Sequence, residues 1–208
     1  MAKTAAFEQF SDAYDDWFER NPEAYQAELK AVRELLPPGP AQGMEVGVGS
    51  GKFAIPCGIE IGVEPCVQMA EKARELGIRV VPGVAEVLPF PEAEFDFVLM
   101  VTTICFVDDI VQSFREALRV LKPGGCLLSG YVDRESELGR RYQENRESSR
   151  FYREATFFST EEVLEALHRA GFAETETRQT LIPDADSMLV KPGYGEGAFV
   201  VIRAVKSP

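Results

Sequence analysis

The sequence predicts an α/β fold: a single domain on a mostly parallel seven-stranded sheet, with helices on both faces and an N-terminal helical cap. Three observations predict it. Short apolar runs of strand character alternate with helical segments through the middle of the chain, the pattern of a parallel sheet wound by crossover helices. One such strand runs straight into the glycine-rich turn Gly47-Val48-Gly49-Ser50-Gly51. The next strand ends on an acid, Glu64.

The elements follow in order. Phe7, Phe10, Tyr14, Trp17 and Phe18 recur at helical spacing, so the chain opens on an amphipathic helix. A second helix covers Glu23 to Leu36, and Pro37-Pro38-Gly39-Pro40 stops it. Strands are expected at 43–47 and 58–63, then a helix opened by Pro65 and closed by Gly77. Further strands are expected at 78–81 and 95–101; the second is apolar but for Asp96, as expected of a strand covered on both faces. A helix over 109–121 leads through the turn Pro123-Gly124-Gly125 into a fifth strand at 126–132. From 133 the composition becomes strongly charged and reads as a solvent-exposed helix. Ser159 with Glu162 forms a capping box for a helix ending near Gly171. The last two strands fall at 174–181 and 198–205, and Gly193 to Gly197 is either a hairpin loop near the ligand mouth or a flexible turn. The domain thus divides into a cap (1–38), a core (41–132), a charged helical insertion (133–158) and a C-terminal part (159–208).

Composition narrows the function. The chain has 208 residues, 45% hydrophobic and 27% charged, as one compact globular domain requires. Its net charge of −12 disfavours nucleic acid as a partner, since phosphate binding needs a basic face. A small-molecule substrate, neutral or cationic, fits more easily. No membrane partner is expected, because the apolar run from Phe97 to Val107 is too short to span a bilayer. Residues Met1 to Phe10 carry Lys3 and Glu8 and no apolar run, so no signal peptide and a cytoplasmic location are expected. Cys57, Cys66, Cys105 and Cys126 form no close pair and the chain has one histidine, so no metal site is expected. The sequence does not set the oligomeric state.

Glycines after a first strand let a ligand approach the backbone, and the first βα turn of such a sheet is where adenosine-containing ligands bind. A dinucleotide fingerprint needs GxGxxG, and Lys52 stands at its third glycine position. A P-loop needs GxxxxGK followed by Ser or Thr, and both Val46 and Phe53 break it. The loop is therefore of nucleoside type. Glu64 is placed to accept from both ribose hydroxyls, although a carboxylate at a helix N-terminus is favourable anyway.

These residues resemble the class I S-adenosylmethionine-dependent methyltransferases, in particular the small ubiquinone/menaquinone-type members with a methyltransferase domain of the eleventh type. Glu45 to Gly51 looks like the family's first motif, 62–65 its acidic motif and 82–90 its adenine-side loop. Phe95-Asp96-Phe97-Val98 looks like its fourth strand, and 118–125 its turn before strand five. The resemblance implies a Rossmann-like domain, S-adenosyl-L-methionine as cofactor and S-adenosyl-L-homocysteine as product. It assigns cofactor contacts to Tyr14, Glu45, Gly47, Val48, Gly49, Gly51, Glu64, Pro65, Met69, Ala85, Glu86, Val101 and Thr102. Tyr14 reads equally as part of the apolar stripe. Val84 stands where many relatives carry an adenine-binding Asp, which leaves adenine to the backbone at Ala85 and to Glu86. The short link from Lys52 to Cys57 allows only about one helical turn between the first two strands, where a crossover is usually longer.

Thr103, Tyr131, Asp133 and Arg134, at the carboxyl ends of strands four and five, are the substrate-side candidates. No catalytic residue is assigned. Methyl transfer from a sulfonium requires mainly positioning, and a base only where the nucleophile must lose a proton. His168 reads as structural or surface. The leading expectation is an S-adenosylmethionine-dependent methyltransferase acting on a small molecule. The alternatives are a protein that binds the cofactor without transfer, and a nicotinamide-dinucleotide oxidoreductase.

Overall fold

The computed structural model describes residues 3–208; Met1 and Ala2, which open the segment read for a signal peptide, lie outside the described residues. Two helices come first, α1 (Ala5–Arg20) and α2 (Pro22–Leu35). They are followed by β1 (Gly43–Val46), β2 (Ile61–Val63), α3 (Val67–Glu75), β3 (Arg79–Val81) and β4 (Phe95–Val101). Then come α4 (Ile110–Val120), β5 (Leu121–Val132), α5 (Glu137–Glu144) and α6 (Thr160–Ala170). β6 (Glu174–Thr180), β7 (Lys191–Pro192) and β8 (Phe199–Val205) complete the sheet.

The strands form one sheet in the order β3-β2-β1-β4-β5-β8-β6-β7. β1 to β5 pair in parallel, while β8 runs antiparallel to both β5 and β6. This is a Rossmann-like α/β fold with eight strands among the described residues, where the sequence predicts seven. The additional strand is β7, two residues paired to Arg178 and Gln179 at the edge. Its brevity and its proline leave no periodic signal, and proline is tolerated at an edge where no partner needs its N–H.

Each face of the sheet carries its own core. Alternating strand residues such as Val98, Met100, Leu127 and Tyr131 pack against α4 and α6 through Phe114, Ala117, Val163 and Leu167. Phe97, Leu99, Val101, Leu128 and Val201 face the other way, against Leu29 and Val32 of α2 and Ala70 and Ala73 of α3. The Pro-Gly-Gly turn expected before β5 lies inside that strand as an irregularity: Leu121 pairs with Phe95, and pairing resumes only at Cys126 with Phe97. The short link after the glycine loop holds a single 3-10 turn at Ile55–Cys57, ended by Gly58 in the left-handed region. The capping box forms as expected, with Ser159 accepting from the Glu162 amide and Glu162 accepting from the Ser159 amide.

Candidate active site

β1 to β5 all end at one cavity of about 1160 Å³. Such a crevice beyond the carboxyl ends of the strands is the ordinary ligand position in an open α/β sheet. Its floor is the glycine loop. Gly47 turns the chain at φ +69°, its amide donating to the Val63 carbonyl at 2.8 Å, so the loop is hung from the end of β2. A Cβ at Gly47 would stand 2.6 Å from Thr103 Oγ1, and that hydroxyl donates to the Val46 carbonyl at 3.0 Å. The loop is thus wedged against the exit of β4, where Thr102 itself holds a positive φ of 53°. A non-glycine residue in that region is strained, and such strain concentrates at ligand sites.

Glu64 ties two elements together. One carboxylate oxygen accepts from the Gly49 amide at 2.9 Å, the other from the Cys66 amide at 2.9 Å ahead of α3. Burial raises its pKa above the ordinary carboxylate range, while those amides pull it down. Its remaining lone pairs face the cavity, beside Pro65 and Met69. Glu45 lies beneath, buried in β1, with Oε2 unpaired. Burial first, and then the charge of Glu64, holds its pKa well above normal.

The cap closes the cavity from above. Asp15 of α1 accepts from Ser50 Oγ at 2.6 Å and from Lys72 Nζ at 2.8 Å, and Lys72 also reaches Asp12 at 2.7 Å. Tyr14 therefore hangs into the cavity beside the loop, its ring edge-on to Phe7 and Phe18. Burial, then the charges of Glu45, Glu64 and Glu28, push its phenol well above its usual range.

Of the candidates read from the sequence, the cavity wall brings together Tyr14, Gly47, Gly49, Glu64, Pro65, Met69, Ala85, Glu86, Val101, Thr102 and Thr103. Val84 joins them, and Glu86 Oε1 accepts from the amides of Asp108 and Asp109 at 2.7 and 3.3 Å, which fixes the loop before α4. Glu45, Val48 and Gly51 lie behind the wall. Val48 is buried against Gly62, and a Cβ at Gly51 would meet Ile78 Cδ1 at 2.6 Å, so these two shape the loop from within.

Tyr131, Asp133 and Arg134 are corrected: the structure turns them away from the main cavity. Tyr131 donates to Thr160 Oγ1 at 3.0 Å, Thr160 donates to Asp133 at 2.6 Å, and Arg134 pairs with Glu162 at 2.8 Å. They dock the start of α6 onto β5. His168 is exposed on α6, and Gly193 to Gly197 lies off the cavity wall.

Sequence reasoning missed Glu28 and the aromatic roof. Tyr142, Phe151 and Tyr152 come from the segment read as a charged, solvated insertion. Its Arg and Glu side chains do face solvent, but the aromatic residues interleaved among them turn inward, and that interleaving was the available signal.

An α/β sheet ending in a glycine-loop floor, with a free-facing acid after β2, defines a nucleoside-cofactor protein. A family model for the methyltransferase domain matches residues 44–129. Among solved structures, a SAM-dependent methyltransferase of Thermotoga maritima, described as a possible histamine N-methyltransferase, is 51% identical with a TM-score of 0.92. The match covers 97% of this chain and 98% of that one. An uncharacterized protein of Methanocaldococcus jannaschii is 42% identical over 96% of this chain and 98% of its own length. A demethylmenaquinone methyltransferase of a Roseiflexus species is 33% identical over 46% of this chain and 44% of its own length. The chain belongs to the SAM-dependent methyltransferases.

Proposed function

We propose that this protein binds S-adenosylmethionine in the cavity described and transfers its methyl group to a small-molecule acceptor. The observation that carries the reading is Glu64, bonded to the Gly49 and Cys66 amides with lone pairs left toward the cavity. A ribose diol donates two hydrogen bonds, and a carboxylate in this position accepts both. The residues fit the rest of the cofactor. The backbone of Gly47 and Gly49 leaves room at the floor, and Met69, Val84 and Ala85 offer an apolar wall for a purine.

S-adenosylmethionine supplies a methyl group already activated on a sulfonium, so the protein must chiefly position and desolvate. Thr102 and Thr103 stand at the turn where β4 leaves the sheet, between the loop and the aromatic roof. Tyr14 and the latch on Asp15 exclude water from above. The net charge of −12 supports a neutral or cationic acceptor over nucleic acid.

The test is calorimetric titration with S-adenosylmethionine and S-adenosylhomocysteine, for the wild type and Glu64→Ala. Saturable binding of both ligands is expected, weakened about tenfold to a hundredfold in the variant, the worth of charge-assisted hydrogen bonds. If neither ligand binds the wild type, the reading is overturned.

A further inference from the structure

The proposed cofactor leaves one buried charge of the cavity unused. Glu28 lies in the stripe of α2 that also buries Ala31, Val32 and Leu35, is 6% exposed, and reaches the cavity wall. Among the described residues its carboxylate has no hydrogen-bond or ion-pair partner. Burial alone pushes its pKa up to about 8. A buried carboxylate without partners is unfavourable, and it marks a place where a ligand supplies the missing cation or donors.

The surroundings specify that ligand. No lysine or arginine is buried among the described residues; of the cations at this cavity, Arg20, Arg141 and Arg150 are exposed at its rim, and Lys3 is half-buried with its ammonium donating to the Val107 carbonyl. Four tyrosines feel the Glu28 charge: Tyr14 from α1, Tyr25 from α2 itself, Tyr142 from α5 and Tyr152 from the turn beyond it. Trp17 and Phe53 add apolar wall. A carboxylate among aromatic faces suits an organic cation, which gains from both the charge and the ring quadrupoles. Tyr14 also feels Glu64, and Tyr14, Glu28 and Glu64 line the same cavity.

We propose that Glu28 is the acceptor-binding carboxylate and general base of the site, and that the acceptor is a primary or secondary amine on an aromatic or apolar body. The proposal rests on the methyl-transfer reading above. The amine arrives as an ammonium, and one N–H proton passes to the Glu28 carboxylate. The freed nitrogen lone pair forms the new N–C bond as the methyl–sulfur bond breaks, and that electron pair stays on sulfur. The product leaves as the methylated ammonium, and the proton on Glu28 returns to solvent. A base titrating near neutrality performs both the uptake and the release.

The experiment uses wild type and Glu28→Gln, each saturated with S-adenosylhomocysteine and titrated at pH 7 with histamine, phenethylamine and tryptamine. Phenethyl alcohol is the neutral control, and buffers of different ionisation heat count the protons. At least one amine is expected to bind the wild type with release of close to one proton, since Glu28 must ionise to pair with it. The variant is expected to bind that amine at least about tenfold more weakly, without proton release. The alcohol is expected to show no such difference. Equal amine affinity in both proteins, no amine binding, or binding without proton release overturns the proposal. Proton release by the wild type needs no variant, and unchanged S-adenosylhomocysteine affinity in Glu28→Gln shows that the variant is folded. Loss of S-adenosylhomocysteine binding by the wild type would overturn the methyl-transfer reading instead.

Discussion

At Gly47 two demands meet in one residue: a left-handed backbone, and a neighbour, Thr103 Oγ1, that would stand 2.6 Å from any Cβ. Gly47→Ala is therefore expected to cost about 2–4 kcal/mol in urea denaturation, from backbone strain and overpacking together, and to abolish S-adenosylhomocysteine binding. Glu28 makes a prediction of different shape. Its pKa is about 8 in the folded protein against an ordinary value of 4.5, so the neutral carboxyl suits the core and the ionised one does not. The stability it contributes is complete below the ordinary value and is lost as pH rises through about 8. Glu28→Gln cannot ionise. It should match the wild type in thermal melts at pH 5 and exceed it by a few degrees at pH 8.5; an advantage that does not grow with pH would contradict this. The sequence displayed Glu64 plainly, because it ends a strand beside a glycine loop. Glu28 was hidden, because a lone acid within a helical stripe reads as its polar margin. Tyr131, Asp133 and Arg134 misled for the opposite reason. Leaving a strand at its carboxyl end points toward ligand, but Thr160, 27 residues from Asp133 in sequence, draws that group to α6.

Among the elements, α1 is held to the core by polar contacts as well as aromatic ones. Asp15 holds it to the loop through Ser50 and to α3 through Lys72, and Lys52 stands 3.9 Å away. The helix is not continuous, since Phe10 takes φ −132° and ψ 33°. Partly exposed ion pairs are each worth about 1 kcal/mol or less, so Asp15→Ala should leave the domain folded. It is expected to raise amide exchange across Ala5–Arg20 and to speed S-adenosylhomocysteine dissociation in stopped flow. Equal exchange in both proteins would show that the aromatic contacts of Tyr14 and Phe18 hold the cap alone. Helices with strong punctuation were legible: the prolines from Pro37 follow the end of α2, Ser159 and Glu162 open α6, and Gly171 closes it. The two-residue β7 and the irregular start of β5 were not, because both exist only through pairing with a distant strand.

For the molecule as a whole, ligand and fold are linked. Strand ends, α1, α2 and the aromatic roof all contribute to the cavity wall, so a bound cofactor stabilises the folded state as one unit. S-adenosylhomocysteine at a hundred times its Kd is expected to raise the melting temperature by about 5–10 °C, while NADH should leave it unchanged. A rise with NADH instead would favour the dinucleotide reading. The order of strands and helices was legible, since it follows from alternating periodicity. The count of strands and the true walls of the cavity were not.

The place of β8 has a consequence for synthesis. It lies between β5 and β6, yet it is made after both. On the ribosome, β6 and its partner β7 emerge with no sheet to join until β8 arrives. An apolar strand waiting in that way invites aggregation. β6 is Glu-Thr-Glu-Thr-Arg-Gln-Thr, with its first residues exposed even in the finished sheet. Of the two strands that must wait, the longer one thus tolerates water, and the apolar Phe-Val-Val-Ile of β8 follows when both of its neighbours are present to cover its edges.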